Sequence, residues 1–235
     1  MKKEKAVVLL SGGLDSTVCM AYAQDQGYEL LPLSFNYQQT HVRELSAAKE
    51  VAKYYQAAQH LIIETNLRDM GGSALTDTSI AMPPGETDRQ AIPATYVPAR
   101  NLIFLSYALG FAEVNEAKYL FIGVNAKDYS GYPDCRPEFI ALFQNLADYT
   151  TKTAVEKKER ILIATPLIDL SKKEIVLLGK KLSAPLHLTT SCYLGEEAAC
   201  GKCDSCLLRL KGFAEAGLKD PIRYHTVGVI KHDGE

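Results

Sequence analysis

Residues 11–16 read Ser-Gly-Gly-Leu-Asp-Ser and follow directly on the apolar run Ala6–Leu10. Two adjacent glycines reach backbone conformations closed to other residues and leave their N–H groups unobstructed, so such a turn can gather several donors on one anion. A helix starting behind it adds free N–H groups and a positive dipole end. Ser11, Ser16 and Thr17 put hydroxyls around the same point. This set suits the binding of a phosphate chain. The Gly-Lys-Ser/Thr ending of a Walker loop is missing, as is a Gly-x-Gly-x-x-Gly dinucleotide turn. No lysine stands in the loop to neutralise a departing γ-phosphate, which disfavours phosphoryl transfer of the kinase kind. Backbone donors gripping a pyrophosphate leaving group favour attack at the α-phosphate and an adenylated product. Asp15 would repel phosphate at close range, so it is expected to cap the helix or to meet the phosphates through Mg²⁺.

A second set lies at residues 125–139, "NAKDYSGYPDCRPEF". It brings together Asp128, Asp134, Tyr129, Tyr132, Ser130 and Arg136. Carboxylates can accept hydrogen bonds from the ring N–H and amino group of a guanine-like edge, a tyrosine ring can stack on a heterocycle, and an arginine can pair with a carboxylate or a phosphate. Arg100, Lys172 and Lys173 are further candidate phosphate clamps. A solvated polar loop and a solvated helix face are the plain readings of these same residues.

The third set is cysteine. Cys192, Cys200, Cys203 and Cys206 crowd into "CYLGEEAACGKCDSC", while Cys19 and Cys135 stand alone. Two steps of the C-x-x-C kind let thiolates converge on one ion, and four cysteines complete a tetrahedral shell. Structural zinc is the expected reading. An iron–sulfur cluster lacks its closing Cys-Pro, and redox thiols fit the clustering less well. Four thiolates leave no open coordination position, so such a metal would be architectural.

These residues need elements to position them. Short, nearly continuous apolar runs alternate with longer helical patterns, the mark of a parallel sheet covered on both faces. Strands are expected at Ala6–Leu10, Leu30–Phe35, His60–Ile63, Tyr119–Val124 and Ile161–Thr165, and helices near Ser16–Gln26, His41–Tyr55, Asn101–Asn115, Pro137–Thr151, Ser171–Lys181 and Asp204–Ala216. Ser171 and Glu174 form a capping-box pattern. In a parallel sheet, ligands bind beyond the carboxyl ends of the strands, which is where the first two sets fall. Residues 66–100, with Gly-Gly and Pro-Pro-Gly, are expected to be a lid or a disordered insert.

The chain has 235 residues, 47% hydrophobic and 23% charged, with a net charge of −2. That balance argues against a strong electrostatic grip on nucleic acid or an anionic membrane. The apolar run near the start is too short for a signal sequence, and nothing approaches the roughly 20 apolar residues of a membrane span. A cytoplasmic protein acting on small molecules is expected, with no membrane and no direct nucleic-acid partner.

The Ser-Gly-Gly-x-Asp-Ser run after the first strand resembles the loop of the PP-loop ATP pyrophosphatases, which implies an adenine-nucleotide-binding α/β fold and adenylation. "SGGLDST", "YVPARN", "SGYPDCRPEF", "TPLIDLSKKEI" and the four cysteines, in that order, make the chain similar to the 7-cyano-7-deazaguanine synthase family over roughly residues 6–213. The resemblance implies conversion of 7-carboxy-7-deazaguanine and ammonia to the 7-nitrile with ATP, in queuosine biosynthesis. It implies an adenine nucleotide hydrolase-like architecture, a Rossmann-like parallel five-stranded sheet with helices on both faces. The expected division is an ATP-binding domain at 1–185 and a zinc-binding C-terminal segment at 186–235. It carries an ATP loop onto Leu10, Ser11, Gly12, Gly13, Leu14, Asp15, Ser16, Thr17, Val18, Cys19 and Met20. Substrate contacts are expected at Arg100, Asn101, Asp128, Tyr132, Asp134 and Arg136. One zinc per chain is expected on Cys192, Cys200, Cys203 and Cys206. Catalytic candidates are Asp15, Arg100, Lys172 and Lys173, and a homodimer is implied. Where the family often has Tyr-Gly-Gln-Arg-His, this chain reads "YQQTH", with Thr40 in place of the arginine, and its first cysteine spacing is one residue short.

Another PP-loop adenylating enzyme, a tRNA thiolase or an ammonia-dependent amide ligase, is the competing enzymatic reading. A tRNA enzyme should carry a basic face or an added RNA-binding module. A non-enzymatic module, its surface organised by zinc, would release no pyrophosphate from ATP.

Overall fold

The structure is a computed structural model that describes residues 3–38, 42–86, 91–127 and 131–225. Five strands form one sheet: β1 (Lys5–Leu9), β2 (Glu29–Asn36), β3 (Leu61–Glu64), β4 (Tyr119–Phe121) and β5 (Leu162–Ala164). Their order is β3-β2-β1-β4-β5 and every neighbouring pair is parallel. Parallel strands need crossovers, and helices supply them. These are α1 (Leu14–Asp25), α2 (Val42–Tyr54), α3 (Leu67–Met70), α4 (Arg100–Val114), α5 (Pro137–Thr150), α6 (Lys152–Lys157), α7 (Lys172–Lys181) and α8 (Asp204–Glu215). The five-stranded α/β architecture agrees with the expectation from sequence.

Strand alternation assigns the helices to two faces. Ala6, Val8 and Leu10 point to one side, where they pack with Val18 of α1, Val51 of α2, Ile175 of α7 and Phe213 of α8. Val7 and Leu9 point to the other, against Leu105 and Ala108 of α4 and Ile140 and Phe143 of α5. Each buried Val or Leu side chain contributes about 1.5–3 kcal/mol of burial free energy, so β1, apolar on both faces, anchors the sheet.

β1 lies between β2 and β4, and the chain leaves its two sides in opposite directions. This is the topological switch point at which open α/β sheets form a crevice. Two differences from the expected elements serve that crevice. β4 stops at Phe121 rather than Val124, because Ile122–Asn125 leave the sheet to line it. The described part of residues 66–100 is an ordered cover with the short helix α3, in which Leu67, Ser73, Leu75, Thr76, Thr95 and Val97 are buried. Leu75, Glu86 and Pro93 of that cover face the crevice.

Candidate active site

The crevice is a cavity of about 340 Å³ above the carboxyl ends of β1, β2 and β4. Its floor is the glycine loop. Gly12 has φ +82°, and a Cβ there would fall 2.3 Å from the Glu44 carbonyl oxygen and 2.6 Å from the Ala48 nitrogen. Only glycine lets the loop lie this close to α2. Gly13 is the N-cap of α1, in extended conformation and without a side-chain cap, so the free N–H groups of the first turn face the cavity end of the helix. The hydroxyls of Ser11 and Ser16 are 3.0 Å apart, and Ser16 Oγ also donates to the Gly13 carbonyl. Thr190 closes the loop from the far side, its N–H donating to the Gly12 carbonyl at 3.0 Å. Across the switch point, a Cβ on Gly123 would lie 3.0 Å from the Asp15 carbonyl. The end of β4 therefore also approaches the start of α1 closely.

Asp15 does not cap α1. Both its carboxylate oxygens accept from Lys172 Nζ, at 2.9 and 2.7 Å, and the pair sits in the cavity wall. Lys173, one residue on, is exposed and outside the cavity lining. Of the expected ATP-loop residues, Leu10, Ser11, Gly13, Leu14, Asp15 and Ser16 line the cavity. Val18, Cys19 and Met20 are fully buried core side chains, and burial pushes the Cys19 thiol far above its usual range. The Thr17 hydroxyl is buried with no hydrogen-bond partner among the described residues.

Arg100 begins α4 after Ala99, which has φ +55°, and its guanidinium donates to the Tyr37 hydroxyl at 3.4 Å. Asn101 follows it and ties the second set together. Its backbone N–H donates to Asp134 Oδ2 at 2.9 Å, and its amide donates to the Asp134 carbonyl and the Cys135 sulfur. Asp134 is thus buried beneath the lining, and burial raises its carboxyl above the ordinary value. Arg100, Asn101 and Tyr132 line the cavity, whereas Arg136, the N-cap of α5, is exposed outside it. Asp128 and Thr40 lie outside the described residues.

Residues that the sequence did not single out complete the walls. Phe35 and Phe104 stack with centroids 3.8 Å apart, beside Tyr37 at 5.6 Å from Phe104, which makes an aromatic wall able to take a flat heterocycle. Tyr193 and Glu44 also face in. These side chains come from separate elements with core-like spacing, so periodicity reads them as packing. Glu44 reads as an ordinary acidic residue in a helix first turn.

The four cysteines converge. Their sulfurs lie within 4.8 Å of one another, and Cys200 Sγ and Cys206 Sγ are 3.9 Å apart. Tetrahedral zinc with bonds of about 2.3 Å needs sulfurs roughly 3.8 Å apart, so the cluster fits such an ion. Backbone N–H groups of Leu194 and Cys200 donate to Cys192 Sγ, and those of Lys202 and Cys203 to Cys200 Sγ, which favours thiolates. The cluster is tied to the cavity through α8. Arg209, buried and three residues on from Cys206 in α8, donates to Thr189 Oγ1 at 2.7 Å and to Asp220 at 2.7 and 2.9 Å, and Thr189 adjoins the Thr190 that holds Gly12.

A family model described as queuosine biosynthesis protein QueC matches residues 5–217. The chain is 60% identical over 225 residues to 7-cyano-7-deazaguanine synthase 2 of Desulfitobacterium hafniense (strain Y51), covering 96% of this chain and 95% of that protein. It is 58% identical over 220 residues to the 7-cyano-7-deazaguanine synthase of Acetivibrio thermocellus, covering 94% and 97%. Among solved structures, a 4-thiouridine synthetase in complex with RNA and bound ATP is similar in fold, with a TM-score of 0.51 at 17% identity, covering 90% of this chain and 53% of that one. On a match of this length and identity, the chain belongs to the QueC family of queuosine biosynthesis proteins.

Proposed function

We propose that this chain catalyses the ATP-dependent conversion of 7-carboxy-7-deazaguanine and ammonia to 7-cyano-7-deazaguanine. The observation that carries the reading is one cavity with a phosphate-type glycine loop on its floor and an aromatic wall and the half-buried Arg100 above it. ATP would lie with its phosphates on Ser11, Gly13 and the start of α1, and Lys172 would add positive charge beside them. Arg100, Asn101 and Tyr132 would hold the deazaguanine acid. Asp134 supports this group through Asn101. Mg²⁺ completes the nucleotide's charge balance in this reading.

A carboxylate is a poor acyl donor until one oxygen becomes part of a leaving group. Attack by that oxygen on the α-phosphate forms an acyl adenylate and releases pyrophosphate. Ammonia then forms the amide and releases AMP, and a second adenylation on the amide oxygen allows its loss as the nitrile forms. The cysteine cluster is read as one structural zinc per chain, and residues 186–235 as the segment that carries it. A homodimer and a cytoplasmic setting go with the same reading.

The test is incubation of the purified protein with 7-carboxy-7-deazaguanine, ATP, Mg²⁺ and ammonium, with products followed by mass spectrometry. The nitrile with AMP and pyrophosphate is expected. ADP in their place would overturn the adenylation chemistry, and no nitrile from folded, metal-replete protein would overturn the substrate.

A further inference from the structure

Among the described residues, four acidic ones line the cavity: Asp15, Glu44, Glu86 and Asp204. The Asp15 carboxylate is clamped by Lys172, the Asp204 carboxylate accepts from the Glu86 N–H at 2.6 Å, and Glu86 as a residue has a further partner. The Glu44 carboxylate has neither a hydrogen bond nor an ion pair among the described residues, although it lines the same wall as the Arg100 guanidinium and the Tyr37 phenol. Its position relative to the glycine loop is set by backbone, because the Glu44 carbonyl abuts Gly12. A carboxylate beside the glycine loop, on a residue lining the cavity and without a hydrogen bond or ion pair among the described residues, is free to exchange a proton with what binds there.

The proposed reaction contains a step that needs such a group. When ammonia attacks the acyl adenylate, a C–N bond forms and the C–O bond to AMP breaks, its electron pair leaving on the phosphate oxygen. The nitrogen must shed one proton to become the neutral amide. We propose that Glu44 takes that proton on a carboxylate oxygen and returns it to solvent before the next turnover. This rests on the adenylation reading of the same cavity. Burial raises the Glu44 carboxyl to about 7, with Arg100 opposing the shift, which brings it close to the value that suits a base at neutral pH. A residue that only complemented the dipole of α2 would change stability slightly and leave the partial reactions in step with one another.

The test separates the two half-reactions in single-turnover experiments. In Glu44→Gln, pyrophosphate release from ATP and the deazaguanine acid without ammonia should stay within about threefold of wild type. Amide formation on adding ammonium should fall about 100-fold or more, with Glu44→Asp in between. Amide formation in Glu44→Gln within fivefold of wild type would overturn the proposal, and so would a parallel loss of pyrophosphate release. If wild type releases no pyrophosphate at all, the adenylation reading fails first and this assignment falls with it.

Discussion

Gly12 is the residue on which the floor of the cavity depends. It combines φ +82° with contacts to backbone atoms of α2 that leave no room for a Cβ. Gly12→Ala is expected to weaken ATP binding at least tenfold in calorimetric titration and to destabilise the fold by about 1–3 kcal/mol in urea unfolding. Glu44 gives a second prediction at this scale. A carboxyl raised to about 7 in the folded chain binds a proton that the unfolded chain has already lost above its ordinary 4.5, so this group's contribution to stability falls as pH climbs between those values. Glu44→Gln, which cannot ionise, should therefore melt higher than wild type at pH 8 and nearly alike at pH 4.5. The wild-type kcat/KM, expressed for free ammonia, should fall about tenfold per pH unit below 7, because the carboxylate must be ionised to accept a proton. Of the groups facing Glu44, Arg100 stays charged throughout, and burial pushes the Tyr37 phenol upward, out of this range. Asp15 is fixed by Lys172. The glycine loop and the cysteines were legible in the sequence because their chemistry is local. Glu44, Phe104 and Tyr193 were not, because what they face is set by the packing of distant elements.

Among the elements, α7 shows how local chemistry positions a distant charge. Its capping box is complete: Ser171 Oγ accepts from the Glu174 N–H, and Glu174 accepts from the Ser171 N–H at 2.7 Å. Those bonds hold the Glu174 carboxyl down at about 2, so the cap persists at neutral pH and fails only in strong acid. The first residue of this helix is Lys172, the partner of Asp15. Ser171→Ala is expected to cost about 1 kcal/mol in urea unfolding. It should also weaken ATP binding several-fold; unchanged ATP affinity would detach Lys172 from the phosphate site. The cap and the six long helices could be read from sequence to within two residues. The pieces α3 and α6 and the one-turn 3₁₀ helices at Pro133–Cys135 and Leu186–Leu188 could not, because three to six residues are too few to show a period.

Across the whole molecule, the cysteine cluster and the glycine loop are joined by one run of contacts. Cys206 and Arg209 share α8, Arg209 grips Thr189 and Asp220, Tyr224 donates to Asp220 at 2.6 Å, and Thr190 holds Gly12. A structural zinc can contribute about 10–16 kcal/mol, comparable to the stability of a whole domain. Elemental analysis should find one zinc per chain. Its removal by a strong chelator should expose residues 186–225 to protease and weaken ATP binding, and a stripped protein that binds ATP unchanged would contradict the coupling. The central claim is that the substrate's own oxygen attacks the α-phosphate. It is tested by supplying 7-carboxy-7-deazaguanine labelled with ¹⁸O in both carboxylate oxygens and locating the label after turnover. The account predicts ¹⁸O in AMP, one atom from each activation, and none in inorganic phosphate. Label in inorganic phosphate, accompanied by ADP, would contradict it.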